Sequence, residues 1–281
     1  INWAHPLAQG LVASYLMNEG CGALVHDSCG MSDGKLNLMA PMSGTSGWVS
    51  GPQGPALAFD GSNDYVDCGV PKINFEASNF SVLLWFLNNT TASSSLIGRY
   101  PTTATDGAWD INVNANGYID AVIRSNTVVG TFSRKIGTVK LTDGFIHFIA
   151  MTRIDNLLDV FVDGKSIGTN SGMTAGASVS NSKNLWLGNR SSISVYYPGL
   201  ISAASIYNRA ITAQEIAYLY AFPWCMYERP SVFYSLPITP SADGSKIVSA
   251  KGGVVENFGY KDPNFIYDRS SYDIVVKKIR G

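Results

Sequence analysis

Charge is scarce in this chain. Only 15% of its 281 residues are Asp, Glu, Lys or Arg, well under the roughly 25% usual in soluble proteins. Twenty basic residues against 21 acidic leave a net charge of −1. So even a balance excludes a groove built to neutralise a phosphate backbone, and the basic run Lys277-Lys278-Ile279-Arg280 is too short to change that. No apolar run approaches the 18 or so residues of a membrane span. The three histidines, His5, His26 and His147, lie far apart and form no HExxH motif. A GxSxG nucleophile elbow, a P-loop and a dinucleotide fingerprint are also missing. His147 lies within a strand pattern and reads as a hydrogen-bonded sheet residue.

Glutamate is rarer still. Glu19, Glu76, Glu215, Glu228 and Glu256 are the only five, and none sits in an ExDxxE pattern. A glycoside hydrolase needs two neighbouring carboxylates. Asp159 and Asp163 share a strand face, but Asp163 is committed to a turn. The expectation is therefore a non-enzymatic protein, with a polysaccharide hydrolase as the weakest alternative. The four cysteines, Cys21, Cys29, Cys68 and Cys225, contain no CxxC pair, which argues against structural zinc. A Cys21–Cys29 bridge would close a short loop worth roughly 2.5 kcal/mol; four thiols in a reducing compartment are the equal alternative. The chain opens on Ile1 without a basic n-region or an apolar h-region, which suits either a removed leader or residues preceding Ile1.

What is abundant is turn and strand material: 28 Gly, 12 Pro, 14 Tyr, 12 Phe and 6 Trp, with 46% hydrophobic residues overall. That is enough apolar surface to offset ordering entropy. Short β-branched or aromatic runs bounded by Gly, Asn, Asp or Ser recur to about residue 209, among them Leu11–Met17, Ala56–Phe59, Tyr65–Cys68 and Asn184–Gly188. Phe80–Phe86 is apolar on both parities, as a strand buried on both faces would be. Trp109–Val113 and Tyr118–Ile123 flank Asn116-Gly117, a pair suited to a type I′ hairpin. Trp109, Ile111 and Val113 share the expected core face, and Asp110 and Asn112 the expected wet one. Further hairpins are read around Asp155-Asn156 and Asp163-Gly164. At least ten strands without intervening helices predict an all-β, two-sheet antiparallel sandwich. One helix is legible: Thr212 and Glu215 have capping-box spacing before Ile216, Ala217, Leu219 and Tyr220, and Pro223 stops it.

After Cys225 the character changes. Residues 226–281 carry Pro230, Pro237, Pro240 and Pro263 among short strand-like runs and are too few to bury a comfortable core. The predicted organisation is a sandwich over 1–225 followed by an attachment or oligomerisation arm over 226–281. Ile247, Val254, Phe265, Tyr272, Ile274 and Val276 are its candidate attachment residues, adding a strand to a neighbour's sheet edge. A hairpin folded back on its own sandwich is the alternative.

Several segments carry a family likeness. Residues 10–22 (GLVASYLMNEGCG), 25–28 (VHDS), 58–66 (AFDGSNDYV), 160–165 (VFVDGK) and 201–212 (ISAASIYNRAIT) resemble, in order, landmarks of laminin-G-like, concanavalin A-like jelly rolls. The opening INWAHPLAQGLVASYLMNEG and the exit Tyr220-Ala221-Phe222-Pro223-Trp224-Cys225 resemble versions carried on tailed-bacteriophage structural proteins. The resemblance implies a virion surface protein: a head decoration, head fibre or tail-associated adhesion. Its partners would be capsid or tail proteins and further copies of itself, with a homotrimer as one assembly and a host-surface glycan as ligand. No nucleic acid and no membrane insertion are expected. A secreted, extracellular carbohydrate-binding or adhesive module is the alternative. No cofactor is required, although related jelly rolls hold Ca²⁺, for which Asp27 and Asp60 match early ligands by position. Against calcium, Ile201-Ser202-Ala203-Ala204 stands where an acidic pair is common. Arg99, Tyr100, Asn112, Tyr196 and Tyr197 are the candidate glycan contacts, offering aromatic faces and planar polar groups. Trp109, by its parity with Ile111, belongs to the core.

Overall fold

A computed structural model describes residues 1–37, 43–70, 74–103, 105–128, 130–190 and 194–227, with the backbone of three short strands at 250–251, 265–268 and 273–278. The chain divides into two compact units, Ile1–Tyr227 and Glu228–Gly281.

The first unit is built of strands. In chain order these are β1 Leu11–Tyr15, β2 Leu24–Val25, β3 Gly34–Asn37, β4 Gly47–Gly51, β5 Gly54–Asp60, β6 Tyr65–Asp67, β7 Phe80–Asn88 and β8 Ser94–Arg99. There follow β9 Ala108–Val113, β10 Tyr118–Arg124, β11 Phe132–Lys140, β12 Ile146–Ile154, β13 Leu157–Val162, β14 Lys165–Asn170, β15 Trp186–Leu187 and β16 Pro198–Tyr207. They form two antiparallel sheets. One runs β14-β13-β12-β7-β16-β5-β4, with β1 also on β16; the other runs β11-β10-β9-β8-β15-β6-β3-β2. This is the expected jelly-roll sandwich.

Alternation along each strand decides which residues meet between the sheets. Val66, Ile97, Trp109, Ile111, Val113, Ile119, Ala121, Ile123 and Leu187 from the second sheet pack against Leu57, Phe59, Val82, Leu84, Phe86, Ile149, Met151 and Val160 from the first. Strand β7 is buried throughout. Its other parity, Leu83 and Trp85, joins Phe148, Phe161 and Tyr207 in a second apolar cluster on the outer face of the first sheet. Helix α1, Ala213–Ala221, caps that cluster with Ile216 and Leu219. The Tyr220 ring stacks on Trp85 at 5.8 Å between centroids. The capping box at Thr212 and Glu215 is present in both directions, and Arg209 grips the same Glu215 carboxylate at 2.8 and 2.9 Å.

Two local expectations differ. At Asn116-Gly117 only the glycine is left-handed, at φ 78°. The Gly117 amide donates to the Asn114 carbonyl at 2.9 Å, so the hairpin closes through a wider turn in place of a two-residue type I′ turn. Asp163-Gly164, left-handed at both residues (φ 49° and 77°), does have the tight form. All four cysteines are free thiols, Cys21 exposed and Cys68 buried.

In the second unit, β17 Ala250–Lys251 and β18 Phe265–Asp268 both pair antiparallel with β19 Asp273–Lys278. Phe265 lies on β18, and Ile274 and Val276 lie on β19, opposite Ala250 and Tyr267. Ile247, Val254 and Tyr272 fall outside the described residues.

Candidate functional site

The outer face of the second sheet carries the chemistry. Pairing registers place seven residues in one line across it. Lys35 on β3 faces Asp67 on β6, which faces Trp186 on β15. Trp186 in turn faces Gly98 on β8, and Gly98 faces Asp110 on β9. Asp110 faces Val122 on β10, and Val122 faces Arg134 on β11. Directly opposed residues point to the same side of a sheet. Because the neighbouring parity (Leu36, Val66, Leu187, Ile97, Ile111) points into the core, this row points away from it.

Gly98 is the notch in the row. A Cβ there would lie 2.4 Å from Asp110 Oδ1 and 2.9 Å from the Trp109 carbonyl oxygen, so only glycine leaves room for the carboxylate beside it. On one side of the notch is an aromatic group. The Tyr65 ring lies 4.3 Å from Trp186 and 6.5 Å from Tyr196, centroid to centroid, and all three side chains are half-buried. Trp186 Nε1 has no hydrogen-bond partner among the described residues. Asp67 beside it accepts from Asn184 Nδ2 at 2.9 and 3.0 Å and from the Gly69 amide at 2.8 Å. Burial, followed by the nearby Asp67, raises the Tyr65 pKa.

On the other side is a polar network. Asp110, on the parity the sequence marks as wet, is 0% exposed. Its Oδ1 accepts from Ser95 Oγ at 2.6 Å. Its Oδ2 accepts from Asn112 Nδ2 at 3.0 Å and from Arg190 Nε at 2.8 Å and Nη2 at 2.7 Å. Burial outweighs these donors and raises the Asp110 pKa, while Arg190 lowers it. On β10, Asp120 accepts a two-pronged bond from Arg134, through Nε at 2.7 Å and through Nη2. The Tyr100 ring is met by two guanidiniums, those of Arg124 and Arg190, each centred 4.6 Å from its centroid. The guanidiniums and the aromatic rings are the groups that bind sugar hydroxyls and stack on sugar rings, and the buried Asp110 and Asp120 carboxylates hold two of those guanidiniums in place.

The sequence candidates divide accordingly. Tyr100 and Tyr196 stand on this face. Asn112 is buried and acts through Asp110. Arg99 is buried too: its Nε donates to Lys183 O at 2.9 Å and its Nη2 to Asn181 O at 2.6 Å, which pins the segment leading into β15. Desolvation pushes its pKa down to about 10. Tyr197 is corrected outright. It is 0% exposed, its hydroxyl donates to the Leu87 carbonyl at 2.5 Å, and it offers no surface to a ligand. Asp27 is also a turn former. Its two oxygens accept four backbone N–H groups, from Ser14, Cys29, Met31 and Ser32 at 2.8–3.3 Å, which leaves little lone-pair capacity for a cation. Asp60 Oδ1 accepts from the amides of Ser62 and Asn63 in the same way. Among the described residues no three His, Cys, Asp or Glu side chains converge as metal ligands. Asp110, Asp120, Arg124, Arg134, Trp186 and Arg190 were not foreseen as site residues. Asp120, Val122 and Arg124 alternate with Ile119, Ala121 and Ile123, and charged residues inside a strand were the available signal; Arg190, in a loop, gives none.

A laminin-G family profile, described as the concanavalin A-like lectin/glucanases superfamily, matches residues 60–217, more than half of the chain. The chain belongs to this superfamily. The matched region contains the whole row except Lys35. No curated protein matches the chain. Among solved structures, the binding domain of Paraclostridial Mosquitocidal Protein 1 superposes with a TM-score of 0.59 at 14% identity, covering 75% of this chain and 52% of that one. The receptor binding domain of a botulinum neurotoxin C/D mosaic serotype gives 0.53 at 12%, covering 75% and 51%. Trypanosoma rangeli sialidase gives 0.56 at 16%, covering 77% and 33%. The chain thus spans about half the length of the toxin domains and a third of the sialidase. At these identities the likeness is one of fold, and the superfamily's fold serves binding domains and enzymes alike.

Proposed function

We propose that the chain is a non-enzymatic carbohydrate-binding jelly roll whose sugar-contacting surface is the outer face of the β11-to-β2 sheet. The observation that carries this reading is the row itself. Trp186, the Gly98 notch and the Asp110–Arg190 pair stand side by side across adjacent strands, flanked by Tyr65, Tyr196 and Tyr100. Membership of a superfamily named for lectins and glucanases agrees with it. Against hydrolysis, Asp110 and Asp120 are held by guanidiniums, Asp110 has every oxygen engaged, and Asp67 is held by Asn184 and the Gly69 amide. A general acid or nucleophile needs an oxygen that can reach the scissile bond.

The likeness of the opening segment and the helix exit to tailed-bacteriophage structural proteins supports display on a virion surface, with Glu228–Gly281 as the segment that meets a capsid or tail protein or another copy. Peptide mass spectrometry of purified particles tests this placement, and absence of the chain from them would sink it without touching the sugar site. The sugar site is tested on a glycan array with the full chain and its Trp186→Ala variant. Retained glycans should be released by the substitution, with the circular dichroism spectrum unchanged. An array with no retained glycan, or one indifferent to Trp186, would refute the assignment. Release of reducing ends from a bound polysaccharide would refute the non-enzymatic part.

A further inference from the structure

The cations of the polar face are not equally neutralised. Arg190 is paired with Asp110 and Arg134 with Asp120. Arg124 has no carboxylate partner among the described residues. Its Nε donates to the Asp106 carbonyl at 3.1 Å, and its Nη2 donates to the carbonyls of Pro101 and Thr103 at 3.0 and 2.9 Å. Asp106 meets it through the main chain alone among the described contacts. Arg124 Nη1 makes no hydrogen bond among the described residues, and the side chain is half-buried against the Tyr100 ring. Three carbonyl bonds and a ring contact fix the guanidinium in place, so little side-chain entropy remains to be lost when a ligand arrives. Three guanidiniums stand here beside two carboxylates, and the unmatched one is held rigid at the surface.

Its position ties it to the sugar face. Arg124 is opposite Ala108, two residues along the strand from the Val122–Asp110 pair of the row, a displacement of roughly 7 Å. Tyr100 follows Gly98 by two residues on the neighbouring segment and bridges Arg124 to Arg190. A ligand lying across this face between Trp186 and Tyr100 therefore brings one substituent over Arg124. A neutral hydroxyl would leave that charge unmatched. A planar or tetrahedral anion would take the free Nη1 in a charge-assisted bond.

We propose that this face takes an acidic glycan, with the carboxylate or sulfate of one sugar unit seated on Arg124 beside Tyr100 and the adjoining units running across the face towards Trp186. The inference rests on the sugar-binding reading and adds the charge of the ligand to it.

The experiment uses the full chain on an array that carries uronic-acid, sialylated and sulfated glycans beside their carboxyl-reduced or desulfated counterparts, read at low and moderate salt. Acidic members should bind at least tenfold more tightly than their neutralised counterparts, and the difference should shrink as salt rises. Arg124→Gln should weaken acidic binding about 10- to 100-fold and neutral binding by less, so that the acidic-to-neutral ratio falls, while Arg124→Lys keeps part of the preference. The carboxylated and sulfated arms separate the two anion types. Equal binding of acidic and neutralised glycans would overturn this inference and leave the sugar site standing; binding to neither would overturn both. A preference that survives in Arg124→Gln would overturn the assignment to Arg124. If that variant fails to fold, the comparison of acidic with neutralised glycans on the unsubstituted chain still decides.

Discussion

Replacing Arg190 with glutamine isolates the energetics of the buried network. Asp110 is fully enclosed and takes two of its contacts from this one guanidinium, both onto Oδ2. Removing one partner of a buried ion pair costs about 3–5 kcal/mol, because the remaining charge is left uncompensated. Ser95 and Asn112 still donate to Asp110, so the loss should fall at the lower end, about 3 kcal/mol. The pH dependence follows in sign. Burial already raises the Asp110 pKa, and Arg190 is the largest influence opposing it. Without Arg190 the folded pKa climbs further above the unfolded value of about 3.9. The deficit is then complete at pH above the folded pKa and fades as pH falls through it towards the unfolded one. Combining Arg190→Gln with Asp110→Asn should restore most of the lost stability, since a neutral amide costs far less to bury. All six tryptophans lie at or before Trp224, so their fluorescence in urea reports the first unit alone. A loss under about 1 kcal/mol at pH 7, the same loss at pH 5, or a double variant no more stable than the single one would refute the reasoning.

Other expectations concern the scaffold. His147 bridges Asp163 Oδ2 at 2.8 Å and Asp143 Oδ1 at 3.0 Å. The bond to Asp163 raises its pKa, while burial pulls the other way. Its contribution is therefore whole below the ordinary histidine pKa of about 6.5 and is lost as pH rises through the elevated folded value. His147→Gln should cost about 1 kcal/mol at pH 5.5 and clearly less at pH 9, measured by urea unfolding. Thr212→Ala removes the hydroxyl that accepts from the Glu215 amide at 3.3 Å. A loss of about 1 kcal/mol is expected, read as a lowered Tm in calorimetry.

Where the sequence was informative, the relevant interaction was short in range. The parity of Trp109, Ile111 and Val113 against Asp110 and Asn112 identified the core face of β9, and the Thr212–Glu215 spacing identified the start of α1. The same parity mispredicts the environment of Asp110. A residue turned away from the core is expected to meet water, yet Arg190, 80 positions later, closes over it. Tyr196 and Tyr197 are indistinguishable as sequence, and alternation sends one to each side. Strand β11 escaped notice because Phe132–Lys140 is mostly exposed and carries Arg134, Lys135, Gly137 and Lys140 among its apolar residues. With it went Arg134, the partner of Asp120. The landmarks that carry the family likeness, such as Asp60-Gly61 and Asp163-Gly164, are turns, and turns specify architecture without specifying a ligand.

The seven-residue row is drawn from positions 35, 67, 186, 98, 110, 122 and 134 in spatial order. Its third member, Trp186, comes latest along the chain yet must slide between β6 and β8 to complete the line. During synthesis the surface therefore stays split in two until β15 has emerged and docked. On the proposed reading, sugar capture would report, in one readout, that the second sheet has closed.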